Sequence, residues 1–195
     1  MKSVLISIQP KYCELIVNGK KTIEVRKTRP KIETPFKVYI YQTKKPVSVL
    51  INGTGKHISE YEKTYCYNER SGKVIGEFIC DKVEKYSTSW LDGEDRLNET
   101  ACLDDADIMD YMNGYTDRIF YAWHISDLKI YEKPKELSEF YAIAESGSDC
   151  CCGCVWHETP LEEMPCRTCT GERKYLYRPP QSWCYVEGLV KDYHE

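Results

Sequence analysis

Short segments of alternating polar and apolar residues, separated by glycine, proline and polar loops, constrain the fold of this chain most. The clearest is Phe-Lys-Val-Tyr-Ile-Tyr at 36–41, where every second side chain suits one face of a strand. The same reasoning predicts strands over residues 3–8, 22–26, 36–41, 73–83, 119–130 and 182–187, and a loop over 44–72. Many short strands with few helices predict a small, mostly antiparallel β-barrel.

Two short helices interrupt the strand pattern. Pro10 suits the first turn of a helix, and Asn18-Gly19 supplies its end. Asp104 or Asp105 can cap a second helix, and Gly114 lies where a helix-ending glycine belongs. The predicted class is therefore α+β, with two or three short helices.

Length and composition indicate one domain with a small appendage. The chain has 195 residues, of which 30% are charged and 42% belong to the hydrophobic set. Its N-terminal apolar run is too short for a signal peptide, and no run approaches the length of a membrane span. We therefore expect a cytoplasmic protein whose eleven cysteines bind metal or stay free rather than form disulfides.

Charge is distributed unevenly along the chain. The net charge of −4 argues against a general nucleic-acid coat protein. Residues 20–45 nevertheless carry nine lysines or arginines against two acids, while residues 92–110 carry eight acids against Arg96. A basic patch on an acidic protein suits local binding of a phosphate-bearing ligand, and a solubilising face is the alternative.

The segment 19–26 concentrates this charge on one predicted strand. Alternation places Lys20, Thr22, Glu24 and Arg26 on one face, and Lys21, Ile23 and Val25 on the other. On charge alone we expect a solvated strand edge with a Glu24–Arg26 pair, which contributes little to stability. A binding face for an anionic, hydrogen-bonding ligand is the alternative.

The order of these residues resembles a known family. Gly19, Lys21, Glu24 and Arg26 fill the pattern G-x-K-x-x-E-x-R directly after a glycine-stopped helix, as in the ASCH domain, a PUA-like β-barrel. The segments 72–78 and 120–125 fit strands of the same barrel, and 178–187 is similar to the end of a phage- and Firmicutes-type subgroup. The resemblance covers roughly residues 1–133 and 178–188. The predicted domains are an ASCH/PUA-like barrel over 1–140, a cysteine-rich insertion over 141–177 whose cysteine spacing predicts zinc binding, and the closing strand and tail over 178–195.

The resemblance implies RNA recognition in a cleft beside the first helix. Lysine can contact phosphate, arginine can grip phosphate or a base edge, and a carboxylate can accept from an exocyclic amine. Tyr121 is a candidate for stacking an unpaired base, whereas Trp123 is expected to pack in the core. The expected ligand-binding residues are Lys20, Lys21, Glu24, Arg26, Arg29 and Tyr121.

Two other functions stay open. One branch of ASCH-like proteins hydrolyses N4-acetylcytidine with a threonine three residues after the motif lysine, where this chain has Glu24. Other relatives are thought to cleave RNA, for which Lys21, Glu24 and His124 are the candidate catalytic residues, although His124 also suits a structural place in a sheet. The third possibility is a phage accessory protein that binds a protein partner.

Four cysteines predict a structural zinc site. Cys151 and Cys154, and then Cys166 and Cys169, form two C-x-x-C pairs separated by eleven residues. This spacing brings four thiolates around one tetrahedral ion and leaves no open position for substrate. Cys150, Cys152, His157 and Cys184 are possible replacement ligands, and free thiols in a loop are the alternative.

Overall fold

The computed structural model describes residues 2–51, 63–91, 95–114, 117–142 and 174–187. The strands are β1 (Lys2–Ile8), β2 (Ile23–Arg26), β3 (Phe36–Gln42), β4 (Ser48–Ile51), β5 (Lys63–Cys66), β6 (Val74–Cys80), β7 (Val83–Ser87), β8 (Ile119–His124), β9 (Ser126–Lys135), β10 (Tyr141–Ala142), β11 (Lys174–Tyr175) and β12 (Trp183–Glu187). The helices are α1 (Pro10–Val17), α2 (Asp95–Ala101) and α3 (Asp105–Tyr111), with 3-10 turns at Thr88–Trp90 and Leu137–Glu139. The predicted α+β class is confirmed.

The strands form two main sheets and a hairpin. The larger sheet has the order β11-β10-β12-β1-β3-β6-β9, and the smaller has the order β2-β8-β7, while β4 and β5 pair separately. Among the described strands, β1 and β3 are the parallel pair and the other pairs are antiparallel. The mostly antiparallel prediction is confirmed, and the pairing of the described strands leaves the barrel open between the two sheets.

The main core lies between the two sheets and under α1. Trp123 of β8 is fully buried and meets Phe36 of β3 edge to face, with ring centroids 5.8 Å apart. Cys13 and Ile16 of α1 join the same cluster. Large buried aromatics in this geometry contribute beyond the area they remove from water. The prediction that Trp123 packs in the core is confirmed.

A separate cluster holds α2 and α3 against the smaller sheet. Ile23 and Val25 of β2 pack in it with Leu97 of α2, Ile108 of α3 and Phe120 of β8. This packing holds α2 and α3 against β2, the strand that carries the conspicuous charged segment. The sequence pattern predicted α3 but missed α2. The α3 cap residue, Asp104, accepts a hydrogen bond from the Asp107 amide at 2.6 Å.

Two predicted long strands are each divided between the sheets. The predicted strand 73–83 ends at Cys80, and β7 then begins at Val83 in the smaller sheet. The predicted strand 119–130 runs as β8 in the smaller sheet and continues after Ile125 as β9 in the larger sheet. Alternation persists through such corners, so the sequence pattern could not locate them.

The predicted loop at 44–72 contains a hairpin, and in this respect the prediction was wrong. Ser48–Ile51 pairs with Lys63–Cys66, with Val49 opposite Tyr65. The hairpin exposes apolar side chains on one face, so it lacks the buried stripe by which strands are recognised.

Gly76 and the first and last described strands lie in the larger sheet. The β6–β9 register shifts between Val74 and Gly76, and again between Glu77 and Ile79. β12 pairs with β1 as the closing strand. β10 and β11 lie at the borders of the predicted 141–177 insertion and belong to the larger sheet, while the rest of that insertion lies outside the described residues.

Candidate functional site

A tight turn after α1 delivers the charged motif to its place. Gly19 has φ +69°, a left-handed conformation that glycine adopts without strain. The next two amides, of Lys20 and Lys21, both donate to the Leu15 carbonyl at 2.9 and 3.0 Å. The Thr22 amide then donates to the Thr100 carbonyl at 2.9 Å, so the turn is fastened to the end of α2.

The faces of the motif differ from the prediction at one residue. Glu24 and Arg26 share a face, as alternation requires, and Ile23 and Val25 pack on the other face. Lys21 was predicted on the Ile23 face, but its Nζ lies 3.4 Å from Glu24 Oε2. The reason is that β2 begins at Ile23, so Lys21 belongs to the turn, where strand alternation does not apply.

The three charged side chains form one buried network. Arg26 Nη2 lies 2.9 Å from Glu24 Oε1, and it also donates to the Ser7 carbonyl at 2.7 Å. Lys21 Nζ donates to the Ala101 carbonyl at 2.6 Å. The three side chains are 1%, 8% and 9% exposed, for Lys21, Glu24 and Arg26. The solvated edge expected from charge alone is therefore wrong, although β2 does form an edge of its sheet.

Two atoms of this network lack hydrogen-bond partners among the described residues. They are Glu24 Oε2 and Arg26 Nε, and both are inaccessible to solvent. Leaving a buried polar group unsatisfied costs about 1–3 kcal/mol. Such groups are uncommon in native proteins, and they point to strain, a bound ion or water, or a ligand.

The network forms the floor of a cavity of about 780 Å³. α1, β2, α3 and the chain around residues 181–182 surround it. Its described lining residues are Ser7, Ile8, Gln9, Lys11, Tyr12, Lys21, Glu24, Val25, Arg26, Lys27, Thr28, Thr43, Lys45, Leu103, Asp107, Asp110, Tyr111, Gln181 and Ser182. Ligand pockets in proteins commonly have volumes in this range.

The walls of the cavity carry opposite charges. Lys11, Lys27 and Lys45 line it, and so do Asp107 and Asp110 of α3. With the floor included, five cationic and three acidic side chains line the described cavity, in a protein whose net charge is −4. The basic segment and the acidic segment of the sequence thus contribute to the same cavity.

Two tyrosines that sequence reasoning missed also line the cavity. Tyr12 lies on α1, where the Lys21 ammonium is 5.1 Å from its ring centroid. Tyr111 ends α3, is 37% exposed, and has the Lys27 ammonium 4.9 Å from its ring. Hydrogen bonding to Tyr12, against the opposing effect of burial, raises the pKa of Lys11, and Asp107 raises it further. These aromatic rings were not distinguishable in a chain with sixteen tyrosines.

Four other predicted site residues lie elsewhere. Lys20, Arg29, Tyr121 and His124 are not among the described residues that line the cavity. Tyr121 packs partly buried against the main core. His124 Nε2 hydrogen-bonds Glu84 across β7 and β8. The structure therefore brings Lys21, Glu24 and Arg26 together without these four, whose functional roles stay predictions.

The predicted zinc ligands Cys151, Cys154, Cys166 and Cys169 lie outside the described residues. Within the described ranges, no group of three or more His, Cys, Asp or Glu side chains is arranged to hold a metal ion. No helix in the described part of the chain is long and apolar enough to cross a membrane.

Comparisons with known proteins agree with this architecture. The crystal structure of ASCH from Zymomonas mobilis has 20% sequence identity and a TM-score of 0.55, covering 95% of this chain and 87% of that one. Two mutant forms of that protein have the same TM-score. One is 20% identical, with 96% of this chain and 91% of that chain covered. The other is 19% identical, with 95% of this chain and 88% of that chain covered. At these identities the likeness establishes the fold alone.

No curated protein matches the chain. A family model described as the ASCH domain matches residues 6–145, which is well over half of the 195 residues. The chain therefore belongs to the ASCH domain family of RNA-binding-like modules.

Proposed function

We propose that the protein binds RNA or a modified nucleotide in the cavity floored by Lys21, Glu24 and Arg26. The observation that carries this proposal is the charged network of Lys21, Glu24 and Arg26, in which Glu24 Oε2 and Arg26 Nε accept or donate no hydrogen bond among the described residues, at the base of an open cavity. Lys21, Glu24 and Arg26 together carry two positive charges and one negative charge, so one positive charge has no counterpart within the network. A site with this balance suits an anionic ligand.

The walls suit the remaining parts of a nucleotide. Lys11, Lys27 and Lys45 on the rim can contact phosphate oxygens. Tyr12 and Tyr111 offer aromatic faces on which an unpaired base can stack. Single-stranded RNA with unstacked bases fits such a site better than a duplex, whose bases are enclosed.

Lys21 has a different role in this proposal from the phosphate contact expected from sequence. Its side chain is 1% exposed and donates to the Ala101 carbonyl at 2.6 Å. A lysine so enclosed positions Glu24 and links it to the end of α2. The direct contacts to phosphate then belong to the exposed lysines of the rim.

The binding test uses rim residues, because their replacement leaves the buried network intact. In titrations with labelled single-stranded RNA, the Lys27→Ala and Lys45→Ala variants should bind more weakly than the parent protein. The slope of log affinity against log salt concentration should also decrease in magnitude, by about 0.7 for each phosphate that the variant no longer neutralises. Lys133→Ala is the matched control, since Lys133 is exposed and is not among the described cavity residues. Equal binding by all three variants and the parent protein would contradict the cavity assignment.

The same preparation distinguishes binding from turnover. We expect RNA oligomers and N4-acetylcytidine to be recovered unchanged after incubation with the protein. Products that disappear in Glu24→Gln, under conditions where circular dichroism shows that this variant is folded, would instead identify the cavity as the active site of a hydrolase.

We further propose that Cys151, Cys154, Cys166 and Cys169 hold one structural zinc ion. Support comes from the two C-x-x-C pairs and the eleven residues between them. Four thiolate ligands complete a tetrahedral site, so the metal would order this segment and take no part in binding RNA.

A further inference from the structure

The β4–β5 hairpin presents an unusual apolar face. Its register places Val49 opposite Tyr65. Val49 and Tyr65 therefore share one face, and Val47 and Tyr67 directly flank the two strands at the same end of the hairpin. Their exposed fractions are 46% for Val47, 42% for Val49, 40% for Tyr65 and 57% for Tyr67. Large apolar side chains exposed together in this way mark an interaction surface.

The charge around this face favours a polyanion as its occupant. The described residues 43–51 and 64–73 include Lys44, Lys45, Arg70 and Lys73, against Glu69 as the acid. Exposed aromatic rings flanked by cations are the arrangement with which proteins bind single-stranded nucleic acid without reading its sequence. Lys73 is paired with Glu136 at 2.9 Å, but a purely apolar protein partner would offer no counterpart to Lys44, Lys45 and Arg70.

The hairpin is also continuous with the cavity. Thr43 and Lys45 line the cavity, and Val47 follows Lys45 by two residues. The Val47 amide donates a hydrogen bond to the Cys66 carbonyl at 2.8 Å. This bond fixes the start of the hairpin close to the rim of the cavity. A strand of RNA that leaves the cavity past Lys45 therefore meets the apolar face next.

We propose that the face formed by Val47, Val49, Tyr65 and Tyr67 is a second RNA subsite, on which bases next to the cavity-bound nucleotide stack. This inference rests on the proposed function and extends the ligand from one nucleotide to a single-stranded segment. Tyr65 and Tyr67 supply the stacking rings, the two valines widen the apolar surface, and Lys44 and Lys45 contact phosphates.

The test compares ligands of two lengths. Affinity is measured for a nucleoside 5′-monophosphate and for single-stranded RNA of about ten nucleotides, a length within the usual range for one binding groove. The double variant Tyr65→Ala/Tyr67→Ala should bind the oligomer roughly tenfold more weakly, as expected for the loss of one or two stacked bases. Its affinity for the monophosphate should stay unchanged.

Two controls isolate the stacking contribution. Tyr65→Phe/Tyr67→Phe keeps both rings and should retain the affinity for the oligomer. Tyr177→Ala removes a tyrosine that is 82% exposed elsewhere on the protein and should have no effect. An oligomer affinity unchanged in the alanine variant, or lowered equally by Tyr177→Ala, would overturn the subsite.

The remaining outcomes separate this inference from the function it rests on. Suppose that Lys27→Ala loses monophosphate binding while Tyr65→Ala/Tyr67→Ala binds the oligomer as the parent protein does. That result supports the cavity and overturns the subsite. Failure of the parent protein to bind the oligomer overturns both. A concentration-dependent dimer that the alanine variant abolishes, with RNA affinity unchanged, would identify the face as a contact between two copies of the chain.

Discussion

Arg26 Nη2 lies 2.9 Å from Glu24 Oε1, and both side chains are less than one tenth exposed. A buried ion pair seldom exceeds a hydrophobic pair in stability, because desolvation of both charges offsets their attraction. Removing one partner is far more costly, since the other charge is then buried alone. In this network the single carboxylate stands between two cations, so Glu24 is the residue on which the others depend.

Glu24→Gln should therefore lower the free energy of unfolding strongly. The substitution keeps the shape of the side chain but leaves Lys21 and Arg26 buried without a counterion. The expected loss is about 3–5 kcal/mol, measured by urea unfolding. Glu84→Gln is the control, because Glu84 is 31% exposed and its two partners, Lys82 and His124, are 60% and 30% exposed. That variant should lose less than about 1 kcal/mol, and an equal loss in both would contradict a special role for Glu24.

Lys21→Met should loosen the end of α2 in particular. The methionine fills similar volume but cannot donate to the Ala101 carbonyl, which Lys21 Nζ reaches at 2.6 Å. We expect faster hydrogen exchange at the Cys102 and Leu103 amides, which donate to carbonyls of α2. The Cys13 amide of α1 is the internal reference and should exchange at an unchanged rate after correction for global stability. Equal acceleration at both places would argue against a local link.

The sequence predicted the chemistry of the site better than its geometry. The pattern from Gly19 to Arg26 identified three residues that meet at the cavity floor, because a glycine-stopped helix followed by charges is a local feature. It could not reveal that Glu24 and Arg26 are buried, since burial depends on α3 and on the chain near Ser182, both distant in sequence. Tyr12 and Tyr111 were missed for the same reason.

The fold was predictable to the level of class and most strands. The strand pattern located β1, β3 and β12, each of which stays within one sheet and is buried along most of its length. It joined β6 to β7 and β8 to β9, because the chain turns a corner between sheets without losing its pattern. It missed the β4–β5 hairpin, whose apolar side chains Val49 and Tyr65 are exposed rather than buried.

Gly76→Ala should destabilise the larger sheet. A Cβ at this position would come within 2.5 Å of the Lys129 carbonyl oxygen on β9, a backbone atom that cannot move without separating the strands. Overpacking of this kind costs about 1–3 kcal/mol, measurable as a lower midpoint of urea unfolding. Gly76→Ser should behave similarly, since its Cβ meets the same atom. Unchanged stability in both variants would contradict the close approach of β6 and β9.

Stability should fall in acid partly through Glu77. Burial raises the pKa of Glu77, but hydrogen bonds from Tyr131 at 2.7 Å and Lys37 at 2.9 Å outweigh it and hold the pKa below its usual value. A carboxyl group whose pKa is lower in the folded state stabilises the fold above its unfolded pKa, and this contribution disappears as pH falls through the folded value.

The free energy of unfolding of the parent protein should therefore fall more steeply below about pH 4 than that of the Glu77→Gln variant, because glutamine at position 77 takes up no proton. The measurement is urea unfolding of both proteins at a series of pH values from neutral to acid. The difference in unfolding free energy should be largest near neutral pH and should shrink in acid. Glu132→Gln, at an exposed position of β9, should follow the parent protein. Parallel curves for the parent protein and Glu77→Gln would contradict the prediction.

Zinc removal should affect the cysteine-rich segment and leave the RNA binding proposed for the cavity unchanged. Metal analysis of protein purified under reducing conditions without chelator should find about one equivalent of zinc, as a single four-thiolate site requires. Cys166→Ser/Cys169→Ser should lose that metal and become more sensitive to proteolysis within 141–177, because metal binding and local folding are coupled. Cys66→Ser, at a partly exposed free cysteine outside the segment, is the matched control and should retain the metal. Full zinc content in the double variant would exclude Cys166 and Cys169 as ligands.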